Sequence, residues 1–565
     1  MQLLSTKKNK LLLLLPTCLV YVVYIILPIL VSLYYSFTKY SGISKPRLYG
    51  LKNYIRLLDD PYFWIALKNT AIILGISILL LGIGAFFVAM LQPMRGVNVC
   101  KALIFAPAII ASIIAGVIWG YLLDPVTGLV NNVLRAIGLD KLALEWIGGK
   151  TLSPYSIAFV YFWQQAGYIA AIYLAGLKTI PHEMMEAAAV DGTNFWQRLL
   201  HVTIPALRDT FVSVGILIIT GSMKIFETVA RRRPDALLRN TRDLRVQHNV
   251  CPGRIRLRHG AGYSDVPDFA DPHGNLYAAA ARERLRGPAM RVRKKLGVCY
   301  VLMVLLTIAI VIPIIWLVFI SMKPNSEIMN NPLSLPNALD FGNYVSALQT
   351  LDLFTLYKNT AFIAVCSLAV EIVITFSSAV GLTRLYYRSD GVRSGLQGFL
   401  QLGLAVSPFI LLFPIYKINK FLGFSQQLSL ILPYIATSIS FNTLLFTAYL
   451  RTVPKELDEA ALMDGVSLWQ LMTKILVPIA KPVLATVIIF NLLYIWNEYP
   501  FASIMIEKPA YYTISRGIAA FQGQYNIDYG GLAAYSVMVL LPELVFYGIF
   551  QRHVVDGMTV GAVKG

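Results

Sequence analysis

Long apolar runs recur along the chain from about residue 11 to about residue 550, and polar loops separate them. A helix that crosses a bilayer needs about 20 mostly apolar residues, and the runs suit this length. We predict five such helices before residue 229 and six after residue 297. One long stretch, residues 230–296, is rich in arginine and shows no sustained periodicity. The pattern predicts an all-α polytopic membrane protein with a first transmembrane half at 1–229, an irregular linker at 230–296 and a second transmembrane half at 297–565.

The composition agrees with a membrane protein. Hydrophobic residues make up 57% of the 565-residue chain and charged residues only 14%, whereas soluble proteins carry about a quarter charged residues. The net charge of +19 does not indicate a nucleic-acid partner, because many Lys and Arg residues lie in short loops where they orient the helices. The five cysteines are scattered, which indicates neither a disulfide framework nor a metal site.

Two polar strips between the apolar runs are copies of each other. Both read Glu-Ala-Ala and, after two more residues, Asp-Gly, and each residue of the second strip lies 273 positions after its counterpart. The residues are Glu186, Ala187, Ala188, Asp191 and Gly192 in the first strip, and Glu459, Ala460, Ala461, Asp464 and Gly465 in the second. Two smaller repeats, Asn53-Tyr54 with Asn343-Tyr344 and Lys68–Ala71 with Lys358–Ala361, are 290 positions apart. The halves are therefore parallel repeats.

The predicted topology needs an even number of membrane crossings before the second half, but only five are predicted. Basic residues before the first apolar run predict an uncleaved helix with its N-terminus in the cytoplasm, and alternation then places both strips there. Five crossings leave the second half starting on the wrong side. One hypothesis is that residues 230–289 are a sixth span translated in the wrong reading frame, with Met290 the former start of a separate protein. The alternative is a flexible basic linker, and an apolar stretch in another frame of the coding DNA would distinguish the two.

The residues of each strip predict two short helices at an angle. Glu-Ala-Ala is good helix sequence, whereas glycine is poor within a helix and suits a turn. Small alanine side chains permit close docking in a groove, and Glu186 or Glu459 is suited to pair with an arginine of a partner. The alternative is an ordinary surface turn, which the duplication disfavours.

With these strips, the chain resembles the membrane subunits of bacterial ATP-binding-cassette importers, whose cytoplasmic loop reads Glu-Ala-Ala, three residues, Gly. The match is closer to the carbohydrate-uptake, maltose-type family, whose loops also carry Asp-Gly and a tryptophan, as at Trp196 and Trp469. The ends of the loops depart slightly, with Thr203-Ile204-Pro205 and Leu476-Val477-Pro478 in place of Ile-x-Leu-Pro. The resemblance implies two adjacent subunits joined in one chain.

The resemblance also implies the rest of the assembly. Each strip would be a coupling helix seated on a separate cytoplasmic ATPase dimer, and an extracytoplasmic solute-binding protein would deliver a sugar or related polar solute through the bacterial cytoplasmic membrane. The chain would then be no enzyme and would bind no cofactor or metal, because ATP and Mg are used by the partner ATPase. In agreement, Gly149-Lys150-Thr151 lacks the first glycine of a phosphate loop, where Leu144 stands instead.

Polar side chains inside the predicted spans are candidates for the solute path, because such groups are rare in a membrane and usually functional. Aromatic rings pack against the C–H faces of sugars, and amides bond to their hydroxyls. The candidates are Trp163, Gln164, Gln165, Glu371, Asn442, Asn497 and Glu498. For any single one, a hydrogen bond between helices or a place in the interfacial aromatic belt is at least as good an interpretation.

Two other classes of protein compete with an importer. A secondary transporter with two six-helix halves needs no cytoplasmic strip and carries a charged relay, of which Glu371 is the only indication. An intramembrane hydrolase needs a Ser-His pair or a set of metal ligands, and the sequence offers neither. A stoichiometric ATPase subunit in the purified protein distinguishes the importer from both.

Overall fold

Helices carry the fold throughout the part of the chain that the computed structural model describes, residues 6–40, 45–91, 98–149, 151–177, 180–224, 276–330, 334–521 and 528–561. Seven of these helices are long and apolar enough to cross a bilayer alone, and four bent helix pairs raise the number of candidate spans to eleven. Counted with the bent pairs, the first half has five spans and the second has six. The predicted all-α polytopic class is confirmed.

The first half contains three single-helix spans and two bent ones. Their bounds are Lys7–Ser36, Pro61–Leu91, Val99–Ala108 with Ser112–Leu122, Ser153–Leu177, and Phe195–Ala206 with Thr210–Ser222. Shorter helices lie at Lys52–Leu58, Leu129–Ala136, Asp140–Leu142 and His182–Val190. A small antiparallel sheet follows the first span, with β1 at Thr38–Lys39 and β2 at Arg47–Leu48.

The second half repeats this order and adds a sixth span. Its spans are Cys299–Ser321, Leu353–Arg384, Asp390–Ala405 with Pro408–Phe421, Leu428–Thr452, Leu468–Ile479 with Lys481–Asn497, and Tyr529–Phe550. Shorter helices lie at Asn325–Asn330, Gly342–Thr350, Glu456–Met463, Pro500–Met505, Pro509–Tyr511, Ile514–Gly517 and Ile518–Phe521. The order of long and bent spans is therefore the same in both halves.

The chain forms two compact units, one of residues 1–228 with 307–565 and one of residues 229–306. The described part of the smaller unit belongs to the helix Leu276–Ser321, which begins inside the predicted linker. Residues 230–275, on which the linker and reading-frame hypotheses mainly rest, lie outside the described residues. Both hypotheses therefore remain predictions.

Extended residues break the third span of each half. In the third span of the second half, Val406 and Ser407 are extended and Pro408 begins the next helix, so the two helices meet at 100°. Proline has no N–H to donate and suits the first turn of a helix. In the third span of the first half, Ala111 has a ψ of 134° and the bend is 99°. Such a break takes nearby backbone carbonyls out of the helical hydrogen-bond ladder.

The repeated Asn-Tyr dipeptides clamp the end of the first span in each half. Asn53 Nδ2 donates to the carbonyls of Ser36 and Thr38 at 2.9 and 2.8 Å. Asn343 makes the equivalent bonds at 3.0 and 2.8 Å. The adjacent tyrosine hydroxyls lie 2.7 Å from the Ser36 and Ser321 hydroxyls. These contacts explain why the dipeptide occurs twice at equivalent places.

The first span of the chain packs on the second half. Thr17 Oγ1 donates to the carbonyl of Ile374 at 2.7 Å, and the Tyr24 hydroxyl donates to Asn419 Oδ1 at 3.0 Å. A buried hydrophobic cluster continues this contact along the second, third and fourth spans of the second half. The halves are therefore held together by the packing of the first span on the second half as well as by the covalent chain.

Candidate functional site

Each repeated strip folds into two short helices joined by a glycine turn. In the first strip, the helix His182–Val190 ends before Gly192, whose φ of +72° lies in the left-handed region. In the second strip, Glu456–Met463 ends before Gly465, whose φ is +74°. Glycine adopts this conformation without the steric cost that a Cβ brings. The prediction of two short helices separated by a turn is confirmed for both strips.

A capping box begins the second short helix of each strip. Asn194 Oδ1 accepts a hydrogen bond from the Gln197 N–H at 2.8 Å, and Gln197 Oε1 accepts one from the Asn194 N–H at 2.9 Å. Ser467 and Gln470 form the same reciprocal pair at 3.3 and 2.9 Å. The box satisfies two backbone donors that have no partner inside the helix. The strips therefore share one construction although their capping residues differ.

The strips expose most of the residues predicted to couple to a partner. Ala188 and Ala461, only 7% and 6% exposed, face the interior. The others are exposed, namely Glu186, Ala187, Asp191, Gly192, Glu459, Ala460, Asp464 and Gly465. Both strips thus present a carboxylate beside small residues on their outer surface.

Large apolar side chains at equivalent positions also face outward. Val190 and Met463 are 86% and 88% exposed, and Trp196 and Trp469 are 60% and 66% exposed. Exposed apolar groups rimmed by polar residues are typical of interaction surfaces. The same apolar positions are therefore exposed in both strips.

A buried ion pair anchors the second strip to its own half. Arg384 Nε lies 3.1 Å from Asp458 Oδ2, and both side chains are almost fully buried. The same guanidinium donates through Nη2 to the carbonyl of Val453 at 3.1 Å. Burial raises the pKa of the Asp458 carboxyl, and the Arg384 charge only partly opposes this. Neither residue was among the sequence candidates, because 74 positions separate them.

Two of the predicted solute-path residues, from opposite halves, meet at the break in the third span of the first half. Gln164 Nε2 donates to the carbonyl of Ile110 at 2.8 Å, and Asn497 Nδ2 donates to the adjacent carbonyl of Ile109 at 2.8 Å. Asn497 Oδ1 is buried and has no hydrogen-bond partner among the described residues. The junction of the halves therefore combines amide groups with an acceptor that a solute could use.

The neighbours of Gln164 occupy different environments. Trp163 is buried, and its Nε1 donates to the carbonyl of Ile310 in the first span of the second half at 2.9 Å. Gln165 is half-buried. Trp163 thus holds a span of the other half, whereas its role toward a solute remains a prediction.

Glu371 and Asn442 lie apart from this junction, in a polar cluster inside the second half. Glu371 is fully buried beside Ser438 and Asn442. Asn442 Oδ1 accepts a hydrogen bond from Asn491 Nδ2 at 2.8 Å. The cluster links the second, fourth and fifth spans, which is the helix-to-helix interpretation given for such residues above.

Glu498 has a local structural use. Its carboxylate accepts hydrogen bonds from the Tyr434 hydroxyl at 2.7 Å and from the backbone N–H groups of Phe501 and Ala502 at 2.7 and 3.2 Å. These bonds cap the helix Pro500–Met505, whose first N–H groups have no helical partner. A contact of Glu498 with solute stays a prediction.

Glu543 and Trp496 carry further buried polar atoms in the second half, and Glu543 was not among the residues predicted for the solute path. Glu543 is 3% exposed, and neither of its carboxylate oxygens has a hydrogen-bond partner among the described residues. Trp496 Nε1 is likewise buried without a described partner, and its ring lies 5.6 Å from that of Tyr357. A carboxylate inside the last apolar run is the signal that could have identified Glu543.

An aromatic layer from both halves lies one helical turn before the Ile109 break. Phe105 stacks on Tyr547 with ring centroids 5.2 Å apart, and Tyr168 contacts Phe490 at 6.0 Å. Ile109 belongs to the same buried hydrophobic cluster. The polar junction is therefore bounded on one side by packed rings contributed by both halves.

Within the described residues, no group of three or more His, Cys, Asp or Glu side chains is placed to hold a metal ion. The polar groups at the junction are the amides of Gln164 and Asn497, and the Trp496 indole is next to Asn497 in the sequence. This donor set suits an uncharged, hydroxyl-rich ligand through hydrogen bonds.

The fold and the repeated strips define a two-part transport protein. The chain matches the family described as binding-protein-dependent transport system inner membrane component, over residues 10–229 and 371–559. The chain belongs to this family. It is the permease component of an ATP-binding-cassette importer in the inner membrane, works with a solute-binding protein, and is not itself the ATPase. The secondary-transporter and hydrolase alternatives are therefore wrong.

Several similar proteins are named as permeases for sugars or sugar derivatives. The trehalose transport system permease protein of Mycobacterium tuberculosis is 31% identical over 258 residues, 45% of this chain and 92% of the relative. The diacetylchitobiose uptake system permease protein NgcG of Streptomyces coelicolor is 27% identical over 282 residues, 49% of this chain and 92% of the relative. Each relative thus corresponds to about half of this chain. Among solved structures, a bacterial ABC transporter involved in alginate import is 20% identical, with a TM-score of 0.40, and covers 50% of this chain and 99% of the matched chain.

Proposed function

We propose that the protein forms the membrane channel for a sugar or a related polar solute, and that a cytoplasmic ATPase dimer docks on its two repeated strips. ATP and Mg²⁺ belong to that dimer, and an extracytoplasmic binding protein delivers the solute. The observation that carries the proposal is the shared outer face of the strips, with Glu186 and Glu459 exposed at equivalent positions. Two equal docking surfaces fit a partner that is itself a symmetric dimer.

The chemistry of each strip suits a groove on such a partner. Exposed Val190 and Met463 supply apolar anchors, and the buried Ala188 and Ala461 keep the helix close to its own half. A carboxylate beside an apolar anchor can pair with an arginine of the partner while the anchor fills a pocket. Movement of the partner would then shift both strips together.

The junction of the halves supports a sugar as the solute. Gln164 and Asn497 bring amides to one place, and the Trp496 ring lies close by in sequence and faces Tyr357. Amides exchange hydrogen bonds with hydroxyl groups, and aromatic rings pack on the apolar faces of a sugar. Two similar permeases are named for trehalose transport and diacetylchitobiose uptake, which also favours a sugar as the solute.

Co-purification from the native host tests the coupling. We expect the wild-type chain to retain a stoichiometric ATPase dimer, and the combination of Glu186→Ala with Glu459→Ala to lose most of it while the affinity for the binding protein is unchanged. Glu145→Ala is the control, because Glu145 is also exposed but lies in a loop predicted on the opposite side. A double variant that keeps both the ATPase and ATP-driven uptake would contradict the coupling role.

A further inference from the structure

The second strip is tied to two spans at once through one guanidinium. Arg384 is the last residue of the second span of its half, and its Nε lies 3.1 Å from Asp458 Oδ2 in the short helix Glu456–Met463. Its Nη2 reaches the carbonyl of Val453, directly after the fourth span. The Nε–Oδ2 contact is an ion pair in which Nε makes no hydrogen bond among the described residues, so the Nη2 bond to Val453 sets the direction of the planar guanidinium. The strip, the second span and the end of the fourth span are thereby fixed to one another.

Apolar packing continues the same attachment. Ala461, Leu468 and Leu471 of the strip lie in one buried cluster with Phe376 and Val380 of the second span. The ion pair at the edge of this cluster is shielded from water, so it is screened little by salt. Pulling the strip away would uncover the cluster and separate two buried charges.

The first strip is attached differently. The position of Asp458 is held there by Met185, whose thioether carries no charge, so an equivalent ion pair cannot form whatever residue lies opposite. The position of the buried Leu468 is held by Phe195, which is 55% exposed. The strips that look alike on their outer face therefore differ on their inner face.

We propose that Arg384 and Asp458 are positioning residues that transmit movement of the second strip to the membrane spans, while the first strip serves mainly as a docking surface. This inference rests on the proposed docking of an ATPase. Movement of the second strip would pass through the ion pair into the span Leu353–Arg384. That span accepts a hydrogen bond from Thr17 of the first half at the Ile374 carbonyl, so the movement would reach both halves.

Hydrogen exchange of the whole complex with its ATPase tests the inference. Exchange is measured by mass spectrometry with and without ATP plus vanadate, which traps the closed ATPase. In the wild type, we expect the nucleotide to change protection in both strips and also in the cytoplasmic end of the second span, residues 376–384. The nucleotide-dependent difference is the decisive readout, because a merely structural role would alter exchange equally in both conditions.

Three variants separate positioning from folding. In Asp458→Asn, both strips should still respond to nucleotide, but the response of residues 376–384 should fall about threefold or more, since a buried charge is left without its partner. Arg384→Lys keeps the charge and should retain part of the response. The swap of Arg384→Asp with Asp458→Arg re-forms the ion pair but not the hydrogen bond to the Val453 carbonyl, so it should restore part of the response even if Asp458→Asn is poorly folded.

Met185→Asn is the matched control in the first strip and should leave the response of residues 376–384 unchanged. An undiminished response in Asp458→Asn, or an equal loss in Met185→Asn, would overturn the inference while the ATPase stays bound. Absence of the ATPase from the wild-type complex would instead overturn the proposed docking, and this inference with it.

Discussion

Asn497 of the second half donates through Nδ2 to the carbonyl oxygen of Ile109 in the first half at 2.8 Å, and Gln164 takes the next carbonyl, Ile110, at the same distance. The two amides occupy carbonyls that the break in the third span removes from the helical ladder. A relative movement of the halves would break the bond from Asn497, which crosses between them, whereas the bond from Gln164 lies within the first half. The junction is therefore a place where movement and solute contact can coincide.

Removal of the Asn497 amide should impair transport without dissociating the complex. Asn497→Ala leaves the buried Ile109 carbonyl unpaired, which costs about 1–3 kcal/mol. We expect ATP-driven uptake of a radiolabelled disaccharide to fall several-fold. The control is Asn132→Ala, which removes a similar amide-to-carbonyl bond to Gly128 at 2.9 Å in the short helix Leu129–Ala136, away from the junction. Equal uptake in the two variants would argue against a special role for the junction.

Glu543 should matter more for transport than Glu371, another of the buried carboxylates. Glu543→Gln keeps the shape of the side chain but removes an acceptor that has no described partner. We expect uptake of a panel of neutral disaccharides to decrease strongly while the amount of bound ATPase stays constant. Glu371→Gln is the comparison, because Glu371 lies apart from the junction, beside Ser438 and Asn442 inside the second half, although its carboxylate oxygens likewise have no hydrogen-bond partner among the described residues. Wild-type uptake by Glu543→Gln would remove this residue from the solute path.

The turn glycines should control docking of the ATPase. Gly192→Ala and Gly465→Ala each place a Cβ at a positive φ, which costs about 1–2 kcal/mol, although nothing lies within 4 Å of the added carbon at either site. We expect each variant to change the angle between the two short helices of its strip and to lower the yield of co-purified ATPase. Gly423→Ala, at a φ of +74° and with equally open space, lies outside the strips and serves as the control. A loss of ATPase in Gly423→Ala as large as in the strip variants would mean that general destabilisation explains the result.

The two halves should assemble without a covalent link. We expect residues 1–229 and 290–565, expressed as separate chains, to co-purify from membranes, because the first span buries Tyr24 against Asn419 of the other half. Combining Thr17→Val with Tyr24→Phe should reduce the yield of paired halves, since two of the hydrogen bonds between that span and the second half are lost, at about 0.5–1.5 kcal/mol each. Halves that elute separately would show that the linker is needed for assembly.

Local pattern accounts for the predictions that the structure confirms. Apolar runs of bilayer length gave the spans, and the change from Glu-Ala-Ala to Gly192 and Gly465 gave two helices and a turn, because helix propensity and a positive φ depend on neighbouring residues. The Asn-Tyr repeat marked a clamp, although the sequence did not say what Asn53 and Asn343 hold. A repeat at constant spacing can be recognised in a sequence without knowing which contacts its residues make.

Long-range contacts were decided only by the tertiary structure. A lipid-facing side of a helix is as apolar as a helix-facing side, so the pattern could not show that the first span packs on the second half. For the same reason it could not separate Gln164 and Asn497, which meet at the junction, from Glu498, which caps a short helix, or predict that Arg384 pairs with Asp458. The sequence by itself determined which segments cross the membrane and which loops repeat, because periodicity and repetition are local. The packing of those segments decided which buried polar groups face each other, since the directions of side chains are set only when the helices are in place.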